Sequence, residues 1–384
     1  MDITLCQINP IVGDFSYNKK LIINNYLNAI KDEADLVVFP ELSICGYPPQ
    51  DLLFNDDFIN ENNKILNSIA MIVTKPLIIG YVRIDGNNLY NSAALCLNGK
   101  VISSYDKINL PTYDIFDEKR YFTKGEKTGI WEISHKGVKN TFGIQICEDL
   151  WDDDYVNKVS KHQKSLGANF IINISASPFN RNKLKTRVDL ITEKIKDIKI
   201  PFFYCNLVGG QDELIFDGNS IAFSKECYCI AKASSFKQDT LKVDFNSKKE
   251  VPVIHKNEQE QIYNALTLGL HDYMHKSNHK KAVIGLSGGI DSALVASIAV
   301  EALGPENVYG VSMPSKYSSN HSLVDAKTLS KNLKIQYMVK GIKSIVKSYN
   351  ESLSSFTTIS KSAPLIIPGP KSMKKRCLPI IPFR

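Results

Sequence analysis

Eight cysteines are spread over 384 residues without one CxxC pair, and the nearest two are Cys227 and Cys229 in CYC. That spacing excludes a cysteine zinc site and the disulfide framework of a small secreted domain, and it suits the reducing cytoplasm. No run approaches the roughly eighteen apolar residues that cross a bilayer. The opening stretch MDITLCQINPIV also lacks the basic start and long apolar middle of a secretory leader. Positive charge is diffuse: the net +7 comes from 47 basic and 40 acidic residues with no dense basic block. Neither nucleic acid nor a membrane is therefore an expected partner. The 43% of hydrophobic and 23% of charged residues match a soluble globular protein, and the length suits two domains.

Apolar periodicity lapses around DFNSKKEVPVIHKNEQEQ. A linker at 246–260 is expected there, after a domain of residues 1–245. In that domain DITLCQINP, DLVVFPE, PLIIGYVRI and ANFIINISAS read as strands, and SYNKKLIINNYLNAIKDEA reads as an amphipathic helix. NSAALCLNGKVISSYDKINL reads as a hairpin turning at Asn98 and Gly99. Three strand ends carry reactive side chains: Glu41 closes LVVFPE, Lys107 follows the hairpin, and Cys147 closes FGIQICED. A cysteine nucleophile needs a base to take its proton and a cation or donor for the oxyanion it creates. Taken singly, a helix-capping acid, a solvated lysine and a core thiol are the plainer readings.

Together, in the contexts FPELSICGYPPQDL, YDKINLPTYDIFDEKRYF and GIQICEDLW, the three resemble the Glu-Lys-Cys triad of the nitrilase, or carbon-nitrogen hydrolase, superfamily over residues 1 to about 240. The resemblance implies an αββα sandwich in which Cys147 attacks an amide, Glu41 accepts the proton and Lys107 stabilises the tetrahedral intermediate. It also implies glutamine held by Tyr47, Tyr113, Glu118, Ser177 and Lys183, with Glu118 alternatively setting the geometry of the triad.

The stretch GLSGGIDSALVAS follows a strand-like KKAVIGL and opens a helix-like SALVASIAVEALG that stops at Gly304 before Pro305. Gly288 and Gly289 let the backbone turn tightly and approach a ligand. Ser287, Ser292 and the helix N-terminal amides offer donors to an anion. Asp291 beside an anion makes sense with a cation such as Mg²⁺ between them. The loop has no Walker-type lysine. SGGIDS resembles the pyrophosphate loop of the ATP pyrophosphatase superfamily. By that likeness ATP is expected at Gly285, Leu286, Ser287, Gly288, Gly289, Ile290, Asp291 and Ser292, with Mg²⁺ at Asp291, no prosthetic group, and a doubly wound α/β domain of the adenine nucleotide alpha hydrolase kind. VYGVSMPSKYSSNHSLVDA extends the likeness, with MPSKYSS in a loop at the same ligand edge.

A nitrilase-type domain fused to such a loop resembles the glutamine-dependent NAD⁺ synthetases. That resemblance implies a cytoplasmic ligase, expected as a homo-oligomer, whose partners are glutamine, ATP and deamido-NAD⁺. Ammonia released from glutamine would pass internally to deamido-NAD⁺ activated as its adenylate.

His271, His275 and His279 share one helical spacing, but no carboxylate completes a ligand set, so a solvated helix end is expected. After NESLSSF the resemblance stops: no Asp or Glu follows Glu351, and five prolines fall in the last 21 residues. An aberrant, disordered tail over 356–384, arising from a frameshift, is expected. It would leave 261–355 as a partial domain with about three strands and an impaired synthetase half. A stand-alone glutaminase or small-amide hydrolase, and a non-catalytic remnant, are the alternatives. An enzyme acting on tRNA is a weaker rival, because it would need a basic RNA-binding surface.

Overall fold

Apolar alternation between residues 2 and 106 builds most of one sheet in the computed structural model, which describes residues 1–245, 247–253, 257–315, 318–353 and 381–383. The strands are β1 (Asp2–Gln7), β2 (Leu36–Val38), β3 (Leu77–Asp85), β4 (Asn88–Leu97) and β5 (Lys100–Asp106). A second sheet follows with β6 (Ile130–His135), β7 (Val138–Ile146), β8 (Phe170–Ser175) and β9 (Phe202–Asn206). The ribbon β10 (Val208–Gln211) with β11 (Leu214–Asp217) branches off before β12 (Ile221–Phe223) and β13 (Cys229–Lys232) rejoin that sheet. Last, β14 (Asp239–Asp244) returns to pair antiparallel with β1. The orders are β14-β1-β2-β3-β4-β5 and β13-β12-β9-β8-β7-β6. Each sheet has three parallel strands at its centre, β1-β2-β3 and β7-β8-β9, with antiparallel strands outside.

Apolar side chains from both sheets, among them Ile3, Leu5, Val38 and Leu95 against Ile144, Phe170, Ile172 and Phe203, form one core between them. Helices α1 (Phe15–Lys31) and α2 (Asp56–Ala70) cover the outer face of the first sheet through Ile22, Tyr26, Ile65 and Ile69. On the outer face of the second, α4 (Lys183–Ile198), which follows the short α3 (Val159–Ser165), buries Leu190, Ile191 and Ile195. The layers are therefore αββα. Covered on both faces, a central strand such as FIINIS is buried throughout instead of alternating. Asp14 and Asn55 cap α1 and α2 by accepting from the Tyr17 and Asp57 amides. Asn98 and Gly99 both take positive φ, 50° and 79°, as a two-residue hairpin turn requires.

One expected strand is shorter than its pattern. DLVVFPE pairs only over Leu36–Val38, because Pro40 has no N–H for the ladder and its carbonyl instead accepts from the Gly80 amide and the Ser43 hydroxyl. Glu41 therefore sits in a turn beyond the strand.

The chain divides into units Met1–Ala265 and Leu266–Arg384, with the break inside α5 (Glu258–Lys276). The second unit runs β15 (Lys281–Gly285), α6 (Ile290–Leu303), β16 (Val308–Ser312), α7 (Asn320–Asn332), β17 (Gln336–Val339) and α8 (Lys343–Ser352). β15, β16 and β17 pair in parallel around Ile284, Leu286, Ala296, Val308 and Ile335. Most of the tail expected to be disordered lies outside the described residues. Ile381–Phe383, however, forms β18, antiparallel to β15, in the order β17-β16-β15-β18. Three residues are too few for a period to be read from sequence.

Phe170 stacks on Phe142 at 5.1 Å and meets Phe203 and Phe245 edge-on at 5.7 and 5.2 Å. Phe170→Ala is expected to destabilise the first unit by about 3–5 kcal/mol, whereas Val138→Ala at the exposed start of β7 should stay within about 0.5 kcal/mol. Denaturant melts of the two variants measure the difference.

Candidate active site

Two of the residues singled out in the sequence, Glu41 and Lys107, meet in one buried cluster of charge, and the third, Cys147, feels the charge of both. Lys107, one residue past β5 and 1% exposed, donates from Nζ to Oε1 of Glu41 at 2.8 Å and to Oε1 of Glu118 at 2.8 Å. Glu41 is fully buried, and its carboxylate also accepts from the Asn91 amide at 2.7 Å and from the Ala176 backbone N–H at 2.7 Å. The Tyr47 hydroxyl donates to Glu118 Oε1 at 3.0 Å. The other Glu118 oxygen, Oε2, is buried without a protein partner among the described residues.

Burial alone would drive the Lys107 ammonium toward neutrality, but Glu118 and Glu41 hold its pKa well above the ordinary lysine range. Burial pushes the Glu118 carboxyl up to about 7 against the pull of Lys107, and the nearby Glu41 charge adds to the rise. One cation between two carboxylates is the arrangement that keeps all three groups tolerable in a dry site.

Cys147 is the first residue past β7, at a φ of 41°. A non-glycine residue held there costs about 1–3 kcal/mol, a strain that persists only where surrounding contacts enforce it. Burial pushes its thiol up, the Glu41 charge pushes it further, and Lys107 opposes both. The resting group is thus a thiol. Cys6, Cys45, Cys96 and Cys205 are buried in the packed interior.

The remaining expected residues ring this cluster. Tyr113 donates to both oxygens of Glu148, at 3.1 and 2.9 Å, and Tyr155 donates to one of them at 3.1 Å. Ser177 is buried, with its hydroxyl accepting from Arg187 at 3.3 Å. The Lys183 ammonium lies 4.0 Å from the centre of the Trp151 ring, and burial and Arg187 both lower its pKa. Sequence reasoning missed Asn91, Glu148, Asp149 and Arg187. Glu148 and Asp149 stood in plain view as the two acids after the cysteine in ICED. Arg187, fully buried against Asp217 at 3.1 Å, had no signal beyond its place four residues after Lys183.

In the second unit the loop between β15 and α6 is fixed by its own serines. The Ser292 hydroxyl accepts from the Ser287 amide at 3.3 Å and donates to the Gly289 carbonyl at 3.0 Å, while the Ser287 hydroxyl accepts from the Gly289 amide at 3.2 Å. Of the two glycines only Gly288, at φ +78°, needs to be one; a Cβ there would lie 2.3 Å from the Ser322 carbonyl oxygen on α7. Gly289 is the extended N-cap of α6, with Asp291 in the first turn. Gly285 ends β15, the Leu286 side chain belongs to the core, and Ile290 is exposed. MPSKYSS begins where β16 ends, but its residues 316 and 317 lie outside the described residues. His271 and His275 stack near the end of α5, and His279 lies beyond that end.

The Carbon-nitrogen hydrolase family matches residues 2–254, and the NAD synthase family matches residues 262–363, eight residues past the expected break at 355. Glutamine-dependent NAD(+) synthetases from Synechocystis and Thermotoga maritima are 39% and 37% identical to this chain. Each match covers 91% of the chain and 66% or 67% of the relative. A solved structure of the Acinetobacter baumannii glutamine-dependent NAD+ synthetase in complex with ADP superposes with a TM-score of 0.85 at 32% identity, covering 94% of this chain and 68% of that one. The fold and the two family matches define a carbon-nitrogen hydrolase unit joined to an NAD synthase unit. The chain belongs to the glutamine-dependent NAD(+) synthetase family and spans about two thirds of the length of these relatives.

Removing Lys107 leaves two buried carboxylates facing each other. Lys107→Met is expected to destabilise the first unit by about 3–5 kcal/mol, and adding Glu118→Gln should recover part of that loss. Chemical unfolding of the single and double variants at neutral pH checks both.

Proposed function

We propose that the first unit hydrolyses the side-chain amide of glutamine and that the second uses ATP to amidate deamido-NAD⁺. The observation that carries the first half is the Glu41–Lys107 ion pair, buried at the strand ends where Cys147 is held at positive φ. In this reading the Cys147 thiol yields its proton to Glu41 as sulfur bonds to the carboxamide carbon. The carbonyl electron pair moves onto oxygen, where the Lys107 ammonium balances the charge. Collapse expels ammonia with the proton returned by Glu41, leaving a thioester. Water then attacks that thioester, Glu41 takes a proton from the water and returns it to the leaving sulfur, and glutamate is released. Tyr47, Tyr113, Glu118, Ser177 and Lys183 are the proposed glutamine contacts. Ionised Lys183 suits the carboxylate of an amino acid, and acidic Glu148 beside Tyr113 suits its ammonium.

In the second unit, the nicotinate carboxylate of deamido-NAD⁺ would attack the α-phosphorus of ATP and release pyrophosphate, and ammonia would then displace AMP. The Ser287 and Ser292 hydroxyls and the first amides of α6 are the proposed pyrophosphate donors. Asp291 would hold Mg²⁺, which supplies charge neutralisation on the phosphates. A single carboxylate fits that role because Mg²⁺ in such sites is shared with substrate oxygens and water. The proposed setting is the cytoplasm and the proposed assembly a homo-oligomer.

Cys147→Ala is expected to lower ammonia release from glutamine by at least about 10³-fold without unfolding the protein, whereas Cys45→Ala and Cys205→Ala should alter stability alone. A coupled assay with glutamate dehydrogenase reads this, and wild-type ammonia release from Cys147→Ala would overturn the assignment. Gly288→Ala should weaken ATP binding by about 10-fold or more, because the loop must shift to relieve the contact with α7. Titration calorimetry with ATP and Mg²⁺ measures that; unchanged affinity would remove the loop from the nucleotide site.

A further inference from the structure

Asp149 is fully buried two residues after Cys147, and its carboxylate accepts four hydrogen bonds from three directions. Oδ1 takes the backbone N–H groups of Ile108 at 3.1 Å and Asn109 at 2.9 Å, the two residues directly after Lys107. Oδ2 takes the Tyr105 hydroxyl at 2.8 Å, from the strand directly before Lys107, and the Ile146 N–H at 3.0 Å, from the residue directly before Cys147. A single side chain therefore ties the backbone just after the lysine, and the Tyr105 side chain just before it, to the backbone just before the cysteine.

We propose that Asp149 is a positioning residue for amide hydrolysis, setting the distance between the Cys147 elbow and the Lys107 ammonium without touching substrate. The inference rests on the reading of Cys147 as nucleophile. Two features single this carboxylate out from ordinary core polar groups. Cys147 stands in a strained conformation that needs enforcement, and the Asp149 bond to Ile146 closes the turn in which that strain is held. The groups it clamps also lie on different sheets, β5 in one and β7 in the other, so no backbone ladder can set their separation. Only an acceptor with two oxygens and no hydrogen can receive all four donors; an amide would present N–H to two of them. Displacing a reacting group by about 1 Å lowers turnover by up to about 10²-fold, while binding groups that have not moved leave KM alone.

The test compares full-length wild-type protein with Asp149→Asn and Tyr105→Phe. Three quantities are read: kcat and KM for ammonia release from glutamine, the rate of Cys147 alkylation by iodoacetamide followed by peptide mass spectrometry, and the thermal midpoint. For Asp149→Asn, kcat is expected to fall about 10- to 100-fold with KM within about threefold, and alkylation to slow in parallel. Tyr105→Phe removes one of the four donors and should lower kcat and alkylation in the same sense, about 3- to 10-fold, in a protein that is still folded. If Asp149→Asn does not fold, Tyr105→Phe decides. Wild-type kcat and alkylation in a folded Tyr105→Phe, or a loss confined to KM in either variant, overturns the inference. If wild-type Cys147 is itself neither alkylated nor needed for ammonia release, it is the reading of the nucleophile that has failed, a result distinct from failure of the clamp.

Discussion

One ammonium held between two buried carboxylates organises the first unit. Lys107 reaches Glu41 and Glu118 at 2.8 Å each, in surroundings where any one of the three charges alone would be prohibitively unfavourable. In the proposed reaction the same contact also serves chemistry. There the Glu41 carboxylate stands beside a thiol that burial holds protonated, and the Lys107 ammonium would face the oxygen that becomes negative. On that reading stability and reactivity are not separable, because the charges that must be paired for the protein to fold are the charges the proposed reaction would use.

The protein meets this constraint by drawing the site from both sheets. Glu41 and Lys107 come from the ends of the first sheet and Cys147 from the end of β7 in the second, and the Ala176 amide just past β8 reaches across to Glu41. The core between the sheets is apolar, so this polar cluster lies where the strands run out and backbone amides become free to donate. Asn91 and Tyr47 then donate to the carboxylates, and one Glu118 oxygen and the Asn91 carbonyl oxygen are left buried without a protein partner among the described residues.

The αββα layers were legible, and Glu41, Lys107 and Cys147 could be singled out, because each rests on a pattern that survives in one dimension: period-two strands, a hairpin at Asn98-Gly99, and reactive side chains where apolar runs stop. Strand length was less legible, since Pro40 cuts the second strand short while the apolar pattern continues to Phe39. The clamp at Asp149 and the Arg187–Asp217 pair were not legible. A buried acid and a solvated acid look alike in a sequence, and their partners lie 30 to 44 residues away. In the second unit the strand, loop and helix were recognised in order, and the structure adds why one glycine of the pair cannot be replaced: α7 leaves no room for a Cβ.

The pairing of β1 with β14 joins Asp2 to Asp244 and Gln7 to Asp239, the two ends of the first unit in sequence. During synthesis on the ribosome β1 emerges well before its partner, which follows more than two hundred residues later. For that interval β1 has one edge with unmatched backbone groups, the kind of surface that recruits chaperones or other strands. The first and last strands of that unit thus act as a clasp, closed only when nearly the whole unit has been made, and a buried charge cluster assembled from both sheets cannot form on an early fragment of it.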